Sequence, residues 1–182
     1  MINTWSDYKE YRKADIIVNE RRTNQKDNLL LEHSYYINRY LHLLRLDEYF
    51  TNGRSIFHKV IKVIVRRRRN RLAVKLGFTI SPNCFGKGLL IWHYGNIVVN
   101  GDAKIGENCI LHGDNCIGNN GSDTKAPVIG KNVDIGVGAK IIGDIFIADN
   151  CRIGAGAVVV KSCYHKGATL VGVPAKEIGV IK

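Results

Sequence analysis

The sequence has no uninterrupted apolar run longer than about seven residues, far short of the roughly 20 that a membrane-crossing helix needs. No transmembrane helix is therefore expected. Proline is scarce, with three residues, all beyond position 77. Glycine is nearly absent from the first 77 residues, where only Gly53 and Gly77 occur among the 19 of the whole chain. The five cysteines, Cys84, Cys109, Cys116, Cys151 and Cys163, are odd in number and form no CxxC pair. That pattern argues against a disulfide framework and a zinc site, and fits free structural thiols in a reducing compartment. No metal is expected. The opening MINTWSDYKEYRK carries charges where a secretory signal needs an apolar segment, so the expected location is cytoplasmic. Acidic residues are also in deficit, 16 against 27 Lys and Arg. The imbalance belongs to residues 1–77, with 17 basic against 8 acidic residues, whereas residues 78–182 hold 10 against 8.

The glycine boundary and the charge boundary coincide, which predicts two regions with different folding rules. Residues 1–77 read as α-helical: Ile37, Leu41 and Leu44, then Ile56, Val60, Ile61 and Ile64, recur every three to four positions. Thr51, Asn52 and Gly53 separate the two runs. Residues 78–182 follow a six-residue period. From Ile105, positions 111, 117, 129, 135, 141, 147, 153 and 159 are all Leu, Ile or Val, with Gly directly after at 106, 118, 130, 136 and 154. Such hexapeptides are the signature of a parallel β-helix, in which three short faces close a triangular coil and stacked coils bury one aliphatic column. Glycine after the aliphatic residue suits corners where a Cβ would resist the backbone angles. Upstream, Thr79, Phe85, Ile91 and Ile97 keep the spacing but lie two places out of phase, and the slip falls just after His93. Residues 119–127, NNGSDTKAP, have no aliphatic residue at 123 and read as a loop that leaves the coil.

Three segments carry a family resemblance: WHYGNIVVN, IGNNGSDTKAPVIG, and IGAGAVVVK followed by GVPAK. With them, about 100 residues from Phe78 to Ile178 resemble the left-handed β-helix hexapeptide acyltransferases. Within these the chain is similar to the serine acetyltransferase-like branch, which includes O-acetyltransferases of bacterial polysaccharide clusters. The resemblance implies a mainly β protein, a left-handed parallel β-helix with a short N-terminal α-helical region. It also implies acetyl-CoA as co-substrate and a homotrimer with active sites between subunits.

By that resemblance His93 is the general base that deprotonates the acceptor hydroxyl, a task imidazole suits because it titrates near neutral pH. The bland alternative is a core histidine held by a backbone carbonyl. The branch usually orients this histidine with an upstream carboxylate, but Thr79 occupies that place, leaving a backbone carbonyl, Asp102 or Asp114 as the orienting group. Acetyl-CoA is expected at Gly118, Asn119, Gly136, Val137, Arg152, Ala155, Lys161 and Lys176. Acceptor binding is expected at Trp92, His112 and Lys125; Trp92 suits stacking on the apolar face of a sugar ring and equally a packing role, and a surface or structural role is the alternative for His112. Serine-specific members hold their zwitterion with an Asp before the histidine and an Arg-His pair before the loop proline. Here Trp92 and Lys125-Ala126 stand in those places, so the expected acceptor is a sugar hydroxyl in surface-polysaccharide synthesis. A serine acetyltransferase and a non-catalytic trimeric scaffold are the alternatives.

The run Arg66-Arg67-Arg68-Arg69-Asn70-Arg71 reads either as a solvated helix face or as a positive patch for peripheral contact with an anionic membrane at its inner face. Nucleic acid is not an expected partner, because no recognition module or aromatic platform accompanies the charge.

Overall fold

The structure, a computed structural model, describes residues 1–20, 29–121 and 124–180. Among the described residues three helices come first: α1 (Trp5–Glu20), α2 (His33–Asn52) and α3 (Ile56–Leu76). Among the described residues no helix is long and apolar enough to cross a membrane. Ser55 caps α3 by accepting a hydrogen bond from the His58 amide, and Gly77 ends it in the left-handed conformation (φ 75°). A Cβ on Gly77 would also lie 2.7 Å from the Gly95 carbonyl oxygen, so helix end and next coil touch through bare backbone.

The two apolar runs of the helical region have different fates. Ile37, Leu41 and Leu44 of α2 are buried in the core. Ile56, Val60, Ile61 and Ile64 of α3 form helix but face outward, at 68%, 57%, 37% and 51% exposure. The face that docks is Val65, Arg69, Ala73 and Leu76, because Asp47 of α2 draws Arg66 and Arg69 inward through ion pairs of 3.1 and 2.7 Å.

From β1 (Phe78–Ile80) the chain winds as a left-handed parallel β-helix. One face stacks β1, β3 (Ile97–Val99), β6 (Cys116–Gly118), β9 (Lys140–Ile142) and β12 (Val158–Val159). A second stacks β4 (Lys104–Ile105), β7 (Val128–Ile129) and β10 (Phe146–Ile147). The third stacks β2 (Leu90–Ile91), β5 (Ile110–Leu111), β8 (Asp134–Ile135), β11 (Arg152–Ile153) and β13 (Ala168–Gly172), closed by antiparallel β14 (Ala175–Val180). Ile117 lies opposite Val99, Ile147 opposite Ile129 and Ile153 opposite Ile135, each pair 18 residues apart, or three hexapeptides. The aliphatic residue of every hexapeptide from Ile105 to Val159 is buried. Each such side chain contributes about 1.5–3 kcal/mol.

Glycine after the aliphatic residue is required for close approach rather than for backbone angle. Gly106 and Gly130 do not have positive φ, but a Cβ on them would meet the next coil's backbone at 2.6 and 2.7 Å. The left-handed corner positions between the second and third faces are taken by asparagine, at Asn108, Asn132 and Asn150. Their side chains form a ladder, Asn108 donating to Asn132 at 3.2 Å and Asn132 to Asn150 at 2.9 Å.

The helices are joined to the first coil by a buried polar cluster. Arg45 of α2, with no exposed surface, donates from Nε to Asp15 Oδ2 at 2.8 Å and from Nη1 to Glu48 Oε2 at 3.0 Å. It also donates to the carbonyls of Phe85 and Gly86 at 3.0 and 2.6 Å. Asp15 Oδ1 accepts from the amides of Gly88 and Leu89, and Glu48 Oε1 from that of Asn83. Burial alone would weaken the guanidinium's hold on its proton, but Glu48 and Asp15 reverse this and raise its pKa above the ordinary value. Removing one member leaves buried charges uncompensated, so Arg45→Met is expected to lower the unfolding free energy by about 3–5 kcal/mol in urea titrations. A loss below about 1 kcal/mol would mean that apolar contacts alone dock the helices.

Candidate active site

The phase slip in the sequence is a widened corner. Ile91 lies opposite Leu111, 20 residues on, whereas Val99 lies opposite Ile117, 18 on. Two extra residues therefore sit between β2 and β3, in the segment 92–96. Backbone bonds staple this corner to the helix end: Gly95 N donates to Leu76 O at 2.8 Å and Ile97 N to Gly77 O at 3.0 Å. Anchored at both ends and longer than its neighbours, the corner presents His93 and Tyr94 outward, both exposed.

The His93 ring has no hydrogen-bond partner among the described residues. Its ring neighbours are His33, at the start of α2, 5.9 Å away, and Trp92, 6.5 Å away, between centroids. One coil on, Gly113 leaves the space beside it open: a Cβ there would lie 3.5 Å from His93 Cβ. Asp114 shares this corner, with Oδ1 3.5 Å from Asn96 Nδ2 and 3.4 Å from Lys140 Nζ. Asp102 lies at a different corner, between β3 and β4, and Thr79 lies exposed on β1 opposite Val98.

Trp92 is half-buried and stacks on His112, with centroids 5.4 Å apart and planes at 15°. His112 in turn places Nε2 2.8 Å from Asp134 Oδ1. The two rings are thus engaged with each other, His112 also with β8, and this face of the Trp92 indole is already covered. Lys125, in the loop, pairs with Asp144 at 2.9 Å.

The residues expected to hold acetyl-CoA fall into three places. Gly136, Val137 and Ala155 lie on the same prism edge as His93, at the corners between β8 and β9 and between β11 and β12. That edge is lined by Gly95, Gly113, Gly138 and Gly156, all with positive φ, and bonds from Gly138 N to Gly113 O (3.0 Å) and Gly156 N to Val137 O (2.8 Å) run along it. A Cβ would meet nothing within 4 Å at Gly95 or Gly156, so the edge is an open track of backbone. Gly118, Asn119 and Lys161 lie on another edge, with the loop; the two edges border opposite sides of the five-stranded face. Arg152 and Lys176 are exposed on the third face, on β11 and β14.

Two site neighbours, His33 and Tyr94, were not singled out by sequence reasoning. His33 is 60 positions from His93, and only helix docking brings the rings together. Tyr94 carried a signal, since it sits inside the slipped segment. Among the described residues no group of three or more His, Cys, Asp or Glu side chains is arranged to hold a metal ion.

No family model matches the sequence. Among curated relatives, the serine acetyltransferase of Synechococcus elongatus is 32% identical over 126 residues, 68% of this chain and 51% of that protein. The serine acetyltransferase of Helicobacter pylori strain J99 is 34% identical over 125 residues, 66% of this chain and 72% of that protein. This chain thus spans about half the length of the first of these. The crystal structure of serine acetyltransferase in complex with coenzyme A from Brucella abortus strain S19 superposes with a TM-score of 0.75 at 26% identity, covering 98% of this chain and 70% of that one.

The Trp92–His112 stack is directly testable, because the sequence has only two tryptophans. In a Trp5→Phe background, His112→Ala is expected to red-shift Trp92 fluorescence and cost about 0.5–1.5 kcal/mol of stability. Unchanged emission would mean the stack is not formed in solution.

Proposed function

The chain belongs to the hexapeptide-repeat acyltransferase family, in its serine acetyltransferase branch, and on that footing we propose that it transfers the acetyl group of acetyl-CoA to the hydroxyl of serine. The relatives overturn the expectation of a sugar acceptor and a place in polysaccharide synthesis: those compared are serine acetyltransferases, in sequence and in structure. The covered face of Trp92 agrees with the correction, since the indole is already stacked on His112.

The observation that carries the reading is His93, exposed on the widened corner at the head of the glycine track. In the proposed reaction His93 takes the proton of the serine hydroxyl as the oxygen attacks the thioester carbonyl. The tetrahedral intermediate then collapses, the carbon–sulfur bond breaks, and the CoA thiolate recovers a proton from His93. The glycine track fits the pantetheine arm, whose amides pair with exposed backbone, while Arg152, Lys161 and Lys176 meet the nucleotide phosphates. Serine carries both charges, and Asp114 and Lys140 offer the opposite ones on this edge.

The proposal includes a homotrimer. In one prism His93 and the group Gly118, Asn119 and Lys161 border opposite sides of a face and do not look onto each other. A neighbouring copy brings one edge of each type into a shared groove.

CoA-thiol release with L-serine and acetyl-CoA tests the reading. Serine-dependent turnover is expected, and His93→Ala should reduce it by about 10²–10⁴-fold without changing the melting temperature. Acetyl-CoA at 100 times its Kd should stabilise the folded chain by about 2.7 kcal/mol. Stabilisation without serine turnover would refute the acceptor; near-normal turnover by folded His93→Ala would refute the base.

A further inference from the structure

The fold sorts the arginines of α3. Arg66 and Arg69 pair with the buried carboxylate of Asp47. Arg68 and Arg71, with Lys75 one turn on, instead line a furrow between α2 and α3. Arg39 and His42 come from its opposite wall, Tyr36 and Leu72 contribute apolar surface, and the volume is about 720 Å³. Arg68, Arg71 and Lys75 have no ion-pair or hydrogen-bond partner among the described residues, and Arg39 donates only to the Tyr35 hydroxyl, at 3.3 Å. Among the described residues no carboxylate lines the furrow. Four cations converging without a counter-charge raise the local potential, and an anion entering there relieves it. Arginine forks match phosphate oxygens two at a time, which favours a multiply charged phosphate over a single carboxylate.

The furrow also has a direction. Tyr36, Leu72 and Lys75 line a second hollow of about 550 Å³, together with Glu32, with His33, whose ring neighbours that of His93, and with Tyr94, next to His93 in sequence. One end is therefore cationic and the other opens beside the exposed histidine.

We propose that the α2–α3 furrow is a binding site for a phosphate-bearing ligand, a phosphomonoester or diphosphate held by Arg39, Arg68, Arg71 and Lys75. It lies in the helical region, apart from the β-helix residues Arg152, Lys161 and Lys176 assigned above to the phosphates of acetyl-CoA. The inference does not depend on serine being the acceptor.

The test is calorimetric titration of the full chain with pyrophosphate at constant ionic strength, beside sedimentation with phosphatidylcholine vesicles with and without 30 mol% phosphatidylglycerol, roughly a physiological anionic content. Saturable pyrophosphate binding is expected, weakened at least about 30-fold in Arg68→Ala/Arg71→Ala, as two lost charge-assisted bonds imply. Arg67→Ala, which removes an exposed charge outside the furrow, should bind as the parent does. Vesicle binding that pyrophosphate displaces and the double variant lacks would identify a lipid headgroup as the source of the phosphate; pyrophosphate binding alone would identify a soluble ligand. Absence of both, equal loss in Arg67→Ala, or displacement of pyrophosphate by acetyl-CoA in a one-to-one exchange would overturn the proposal.

Discussion

The buried Arg45 guanidinium is the point on which the molecule turns. A β-helix needs something to cover its first coil, because the carbonyls and amides at that end have no coil before them. Arg45 takes the carbonyls of Phe85 and Gly86, while its partners Asp15 and Glu48 take the amides of Gly88, Leu89 and Asn83. One ion cluster therefore satisfies the open end of the prism and fixes α1 and α2 in orientation. The cost of burying these charges is offset only because every oxygen and nitrogen named has a partner. The consequence for the site is positional: α2 starts with His33 beside His93, and α3 ends with Leu76 and Gly77 bonded to the widened corner.

That corner shows why a repeat is most informative where it fails. Eighteen residues per coil leave no slack, since adjacent coils approach so closely that Gly106 and Gly130 tolerate no Cβ. Two extra residues must bulge from the prism, and the bulge takes His93 and Tyr94 with it. The aliphatic column, the three faces and the position of the bulge were all legible in the sequence, because a period of six is a constraint each residue obeys locally. The glycine rule was legible in place but not in cause: Gly106 and Gly130, directly after the aliphatic position, admit the next coil, while the left-handed angles fall to Asn108, Asn132 and Asn150 at one edge and to Gly95, Gly113, Gly138 and Gly156 at another. Choice of acceptor was not legible. Trp92 reads equally as a stacking aromatic or a packing residue until its stack on His112 is seen, and that contact joins positions 20 apart through coil stacking.

The helical region was the less readable half, for a related physical reason. A helical period locates a stripe but does not say which stripe docks, and on α3 the more apolar one, Ile56 to Ile64, is left outside. The docking choice belongs to Asp47, whose carboxylate on α2 captures Arg66 and Arg69 and turns the helix accordingly. The same capture decides the fate of the remaining charge. Four consecutive arginines point in four directions around a helix at about 100° per residue, so pairing positions 66 and 69 with Asp47 leaves 67 and 68 on the other sides. Arg68 and, one residue beyond Asn70, Arg71 then fall on the furrow wall with Lys75. A run of like charge in the sequence is thus two populations in the fold, one structural and one free. Asp47 cancels only one of the two charges it pairs, and the furrow cations Arg68, Arg71 and Lys75 add their field on the side of the helices that opens toward His93.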